Sequence, residues 1–172
     1  MKKLSIEKLF LLDPYNDKHL SMIRNFEKEN DLSSRISEDI GKIRSSISKD
    51  NYIKEKINSN EINENIFLEK ESKITDCCFI QGEKDIKTCR ISFYPLKNKI
   101  IKRKLISYVS NYAMNTLGME EVFINVNKDD KSMINYLDSL GYENLGEENN
   151  KIIYLTEKEE KKEEQRKIAW KS

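Results

Sequence analysis

The sequence predicts an α/β fold on three observations: short apolar runs with strand character, longer stretches in which Ile and Leu recur every three or four residues, and the order in which they alternate. The first run, Ile6, Leu9, Phe10, Leu11 and Leu12, ends at the turn pair Asp13-Pro14 and reads as a strand. Two amphipathic helices follow. Asp17 is expected to accept hydrogen bonds from the free N–H groups at the start of the first, with Leu20, Ile23 and Phe26 on one face. In the second, Ile36, Ile40, Ile43 and Ile47 repeat at helical spacing, which leaves Arg35, Glu38, Asp39, Lys42 and Arg44 on the wet sides. Residues 48–63 are rich in Asn, Lys and Ser and suit a loose helix or a connection.

Three strands are then predicted in succession, Asn65 to Lys70, Ile74 to Gln81 and Ile86 to Tyr94. Turns at Glu71 to Lys73 and at Gly82 to Asp85 make them an antiparallel meander. After Pro95 the period changes: Ile101, Leu105, Tyr108, Val109, Tyr112, Ala113 and Leu117 fall at helical spacing until Gly118 supplies a stop. Met119 to Asn127 reads as a strand, and Asp129 or Asp130 caps a helix carrying Met133, Ile134, Leu137 and Leu140 that ends at Gly141. Lys151 to Leu155 is the last strand. No internal repeat interrupts this order.

Charge and composition narrow the function. In 172 residues, 31 Lys and Arg stand against 30 Asp and Glu, a formal net charge of +1, whereas a dedicated nucleic-acid domain carries a broad basic excess. No apolar run reaches the roughly 18 residues of a membrane-spanning helix, and the first residues lack a small-residue cleavage site, so a cytoplasmic protein is expected. Cys77, Cys78 and Cys89 have no CxxC spacing, and His19 is the sole histidine, which argues against a metal site. All three cysteines lie in apolar runs, as buried structural thiols do; a reactive cysteine is the alternative.

The block KNKIIKRK, residues 97–104, concentrates five basic side chains in eight positions just ahead of the longest predicted helix. Cations at a helix N-terminus are electrostatically unfavourable unless an anion is near. The block is therefore either a site for an anion or the solvated first turn of a helix; a nucleic-acid contact is the third reading, against which the near-neutral total stands.

The stretch from Ile86 to Gly146, together with the order of elements up to about residue 157, resembles the GNAT superfamily of acyl-coenzyme A dependent N-acyltransferases. The nearest match is VNKDDKSMINYLDSLGYENLG, Val126 to Gly146: a strand, a polar capping residue, a short helix, then Gly-aromatic entering a strand. The resemblance implies a mixed, mostly antiparallel sheet of six or seven strands, splayed between the fourth and fifth and flanked by about four helices. It implies one such domain over residues 1–157, with 158–172 a charged tail or helix in which Trp170 suits an anchor on its own domain or on a second copy in a homodimer.

Acetyl coenzyme A is the implied acyl donor, lying in the splay, with a small-molecule or peptide amine as acceptor and neither nucleic acid nor membrane as partner. The fourth strand, at Ile91, Ser92 and Phe93, would pair with the pantetheine. The superfamily's Q/R-x-x-G-x-G/A loop, which cradles the pyrophosphate at a helix start, aligns with Lys97, Ile100 and Lys102, so both glycines are missing. Lys97, Lys99, Ile100, Ile101, Lys102, Arg103 and Lys104 make up the implied pyrophosphate segment, with lysine charge in place of amide contacts. Asn127, Asp130 and Met133 complete the implied cofactor set.

The superfamily's tyrosine acid falls on Leu137; Tyr136 is adjacent but turned by about 100° on the helix. Tyr136, Glu69 and Glu83 are the weak candidates for acid and base, with Glu71 and Asp85 offered by proximity alone. The function expected is direct acetyl transfer to an amine. The alternative is the same fold, catalytically impaired, kept for sensing an acyl-coenzyme A or for binding a protein.

Overall fold

The computed structural model describes residues 7–93 and 103–158. Chain order is β1 (Glu7–Leu11), α1 (Asp17–Glu29), α2 (Arg35–Ser46), α3 (Lys49–Asn58), β2 (Glu61–Lys70), β3 (Lys73–Glu83), β4 (Thr88–Phe93), α4 (Arg103–Asn115), β5 (Glu121–Asn127), α5 (Lys131–Ser139), β6 (Glu143–Glu148) and β7 (Lys151–Glu157). The strands form a seven-stranded sheet in the order β1-β2-β3-β4-β5-β7-β6, antiparallel except for the parallel pair β4–β5. That is the predicted mixed α/β sheet, with seven strands and, among the described residues, five helices in place of about four. The additional helix is α3, which the polar stretch before β2 forms under a Ser48 cap; β2 then starts at Glu61, earlier than its apolar residues indicate. No described helix is long and apolar enough to cross a membrane.

The described residues fall into two compact units, one of residues 7–60, 64–79 and 93, the other of 61–63, 80–92 and 103–158. In the first, β1 runs antiparallel to β2, from Glu7 opposite Lys70 to Leu11 opposite Ile66. The buried faces of α1 (Met22, Ile23, Phe26) and α2 (Ile36, Ile40) share a core with Phe67, Ile74 and Cys77. The cap of α1 is Asn16, whose side chain accepts from His19 N at 3.1 Å, and Asp17 instead pairs with Arg44 at 2.7 Å. The expected Asp17 cap is thus displaced by one residue, a step that propensity cannot resolve because Asn and Asp cap equally well. Glu27, buried on α1, does for α2 what Ser34 does not: its carboxylate accepts from Ile36 N at 3.1 Å and from Ser37 N at 3.2 Å.

In the second unit, β5 lies antiparallel to β7 along its whole length, Glu121 opposite Glu157 through Asn127 opposite Lys151, and β6 forms the exposed outer edge. Helix α4 buries Leu105, Ile106, Val109 and Ala113, whereas Tyr108, assigned by spacing to the same stripe, is 43% exposed. Ile106, next to Leu105, joins the buried stripe instead.

Gly82 also departs from expectation. It lies inside β3 rather than in the turn, and a Cβ there would sit 2.5 Å from Thr88 O and 2.7 Å from Cys89 Cβ. The glycine is required by close packing against β4, not by turn geometry. Gly41, in α2, has nothing within 4 Å of such a Cβ. The same substitution therefore has opposite signs. By urea denaturation, Gly82→Ala should cost about 1–3 kcal/mol from overpacking, and Gly41→Ala should add about 0.5–1 kcal/mol from helix propensity.

Candidate functional site

The site is set by where β4 and β5 part. Their parallel register runs from Thr88 opposite Glu121 to Ile91 opposite Ile124, and among the described residues it ends there. Beyond it β4 continues to Phe93 and β5 to Asn127, the latter still paired with β7. The sheet thus opens on the β4 side of β5, at the C-terminal ends of the parallel pair. Helix α5 begins at Lys131, four residues past the end of β5, so its first-turn N–H groups lie at this end of the pair; α4 begins at Arg103, ten residues past the end of β4.

Register fixes which side chains face which way. Cys89 and Ile91 of β4 share a buried face with Val122 and Ile124 of β5, and Tyr154 of β7, opposite Ile124, is on that face too. Tyr154 Oη donates to Asp138 Oδ1 of α5 at 2.9 Å, which places α5 on this side of the sheet. Ser92 and Asn125 follow on the other face, on either side of the opening.

The predicted residues are distributed accordingly. Ile91 is fully buried in the core, and Ser92 and Phe93 are half-buried on the part of β4 that has left β5. Asn127 ends β5 exposed, its carbonyl accepting from Asp130 N at 3.0 Å. Asp130, of the two aspartates offered, is the cap: its carboxylate accepts from the N–H of the buried Met133 at 3.2 Å. Asn127, Asp130 and Met133 are therefore one continuous motif at the mouth of the opening. Lys97, Lys99, Ile100, Ile101 and Lys102 lie outside the described residues; Arg103 and Lys104 form the first turn of α4.

Leu137 is fully buried, as a core residue of α5 should be. Tyr136, half-buried, does not point away into solvent: its hydroxyl lies 3.2 Å from Ser107 Oγ of α4, tying the two helices together. Glu69 is half-buried on β2 opposite Lys8, and Glu83 is exposed at the end of β3 beside a shallow polar groove with Glu61, Asn63 and Arg90. Glu83 is thus by the Thr88 end of β4, about 13 Å of strand from the opening. Glu71 occupies a left-handed turn with Ser72, joining β2 to β3.

The cysteines and the histidine are packed away from such roles. Cys77, Cys78 and Cys89 are buried free thiols whose pKa values burial pushes up, that of Cys89 to about 12, so the nucleophilic thiolate is disfavoured. His19 stacks on Phe10, accepts from Asp13 N through Nδ1 at 3.2 Å, and is held below its ordinary pKa by burial. Sequence reasoning missed Ser107 and Asn125. A polar residue in the apolar alternation VFINV was the available signal for Asn125; Ser107 carries none, because its role depends on a helix far along the chain.

An opening of this kind offers chemistry that needs few side chains. The freed edge of β4 presents main-chain donors and acceptors to an extended amide-bearing ligand, helix starts favour an anion, and a tyrosine hydroxyl stands on the flanking helix.

Residues 87–159 match the profile of the Acetyltransferase (GNAT) domain family. No curated protein matches the chain in sequence. Among solved structures, the chain is similar to the Campylobacter jejuni N-acetyltransferase PseH in complex with acetyl coenzyme A, with 13% identity over 89% of this chain and 99% of that one and a TM-score of 0.58. It is similar to the ribosomal-protein-S5-alanine acetyltransferase of Vibrio fischeri, with 11% identity, 91% and 98% coverage and a TM-score of 0.65. It also resembles the dodecameric spermidine N-acetyltransferase of Vibrio cholerae, with 14% identity, 88% and 93% coverage and a TM-score of 0.59.

The Tyr154 to Asp138 bond gives a pH test of how α5 is held. Burial and then the Asp138 bond raise the Tyr154 pKa from 10.0 to about 12. The neutral phenol is the folded form, so its contribution is complete below pH 10 and is lost as pH rises from 10 through 12. Unfolding free energy measured in urea should fall across that window, and the fall should be shallower in Tyr154→Phe.

Proposed function

We propose that this chain, which has the GNAT fold and matches the GNAT acetyltransferase domain over residues 87–159, transfers an acetyl group from acetyl coenzyme A directly to an amine. The observation that carries the reading is the end of the β4–β5 register at Ile91 and Ile124. A parallel pair at the centre of a sheet ordinarily stays paired, because each strand edge needs hydrogen-bond partners. An early parting leaves main-chain groups of β4 for a ligand that carries amides of its own. The pantetheine arm fits that requirement, and helix starts suit the phosphates.

Bound there, acetyl coenzyme A supplies the acetyl group as an activated thioester. The chain's part is to hold and orient. Ser92 and Phe93 offer main-chain pairing, and Lys97, Lys99, Lys102, Arg103 and Lys104 offer charge in place of glycine-exposed amides. Asp130 fixes the first turn of α5, and Tyr136 is positioned by Ser107 to give a proton to a departing thiolate. The acceptor nitrogen must arrive neutral and lose one proton as the amide forms, and water suffices as its base where no carboxylate converges. Leu137, buried at the position of the superfamily's tyrosine, favours a second reading, an acyl-coenzyme A sensor without turnover.

Calorimetry and thiol release separate these. Acetyl coenzyme A should bind saturably, and Lys97→Ala with Lys99→Ala should weaken it by about tenfold. Tyr136→Phe should then lower kcat by about 100-fold at unchanged cofactor affinity. Absence of saturable heat at millimolar cofactor would reject both readings; binding with silence on every amine of a broad panel would leave the sensor.

A further inference from the structure

We infer that Asn125 orients the incoming amine, its side-chain oxygen accepting one N–H of the acceptor on the face of the sheet opposite α5. The inference rests on the acetyltransferase reading and assigns within it the residue that meets the second substrate.

Asn125 is the first residue of β5 past the register with β4. Its Oδ1 is buried and has no hydrogen-bond partner among the described residues. The opposing position on β7 is Ile153, which has no side-chain donor to offer. A buried carbonyl oxygen left in this way is destabilising, and native proteins keep few of them. Ser110 and Glu157 carry buried oxygens of the same kind, but in the third turn of α4 and at the end of β7 paired with the start of β5, away from the opening.

The chemistry of the missing partner follows from the atom. An amide oxygen only accepts, so the ligand group must be a donor. Its direction follows from the strand. Val122, Ile124 and Val126 point to the buried face that carries α5, and Asn125 points to the other, as does Ser92 across the opening. A chain paired with the main chain of β4 lies in the plane of the sheet and uses backbone groups, whereas the Asn125 side chain stands off the plane. The donor that meets it arrives from that far face, where an acceptor can approach a thioester held between the strands. An amine nitrogen whose N–H is taken by Oδ1 has its lone pair left for attack. A site built around an unpaired buried acceptor also selects against nucleophiles that lack the donor.

Two variants test this, with hydroxylamine as a minimal amine probe and its uncatalysed reaction subtracted. Asn125→Leu removes the orphaned oxygen and adds apolar surface, so the ligand-free protein should melt about 2–4 °C higher. Its acetyl coenzyme A affinity should stay within about twofold, while kcat/KM for hydroxylamine falls by about tenfold or more. Asn125→Asp keeps the acceptor and should hold that kcat/KM within about threefold. A lower melting point for Asn125→Leu with unchanged kinetics would make Asn125 a purely structural residue and overturn the inference. An about tenfold loss of cofactor affinity with unchanged hydroxylamine kinetics would move the donor to the pantetheine and overturn it as well. Failure of the unsubstituted protein to bind acetyl coenzyme A would instead remove the reading beneath it, a result told apart because it appears without any substitution.

Discussion

Backbone hydrogen bonding at the centre of the sheet governs this fold. A parallel pair cannot be joined by a hairpin, so β4 and β5 need a crossover, and α4 supplies it. α5 starts four residues past the end of β5, which brings its N-terminus to the C-terminal end of the pair. When the pair parts after Ile91 and Ile124, the same end acquires free strand edge. A helix start and an unpaired edge are two sources of unsatisfied main-chain groups. Their coincidence is a consequence of topology, and it makes the place suited to an anionic, amide-bearing ligand.

Side chains then hold the opening in shape. The β5–β7 register is complete to Asn127, so β5 cannot drift back toward β4 without breaking a full antiparallel ladder. Tyr154 anchors α5 from below through Asp138, Asp130 fixes its first turn, and Ser107 joins α4 to α5 through Tyr136. Asn125, whose buried oxygen lies beside the opening, has no such partner among the described residues. An unpaired oxygen beside an opening is the sort of local inconsistency that folded proteins retain at functional sites.

Much of the element order was legible because it rests on local pattern: Ile36 and Ile40 face the core from α2, although Ile47 lies just past its end in extended backbone, the apolar runs of the meander form strands, and Gly118 and Gly141 follow helix ends at positive φ. What was not legible depends on partners distant in sequence. Asn16 takes the cap, and Asp17 pairs with Arg44 of another helix. Gly82 looks like a turn residue until β4 is laid against it. Tyr108 fits the helical stripe by spacing but is exposed, whereas Ile106 is buried. No local pattern shows that Tyr136 reaches Ser107.

The central claim is that the gap beyond Ile91 and Ile124 is the acyl-coenzyme A cleft. Amide hydrogen exchange with and without saturating acetyl coenzyme A tests it at the site itself. Slower exchange is predicted in the peptides that contain Ser92 and Phe93 and in those spanning Asn125 to Met133, with β1 and β6 unchanged. Protection confined to α2, α3 or the β3–β4 hairpin, with the peptides around the opening unaffected, would contradict the account.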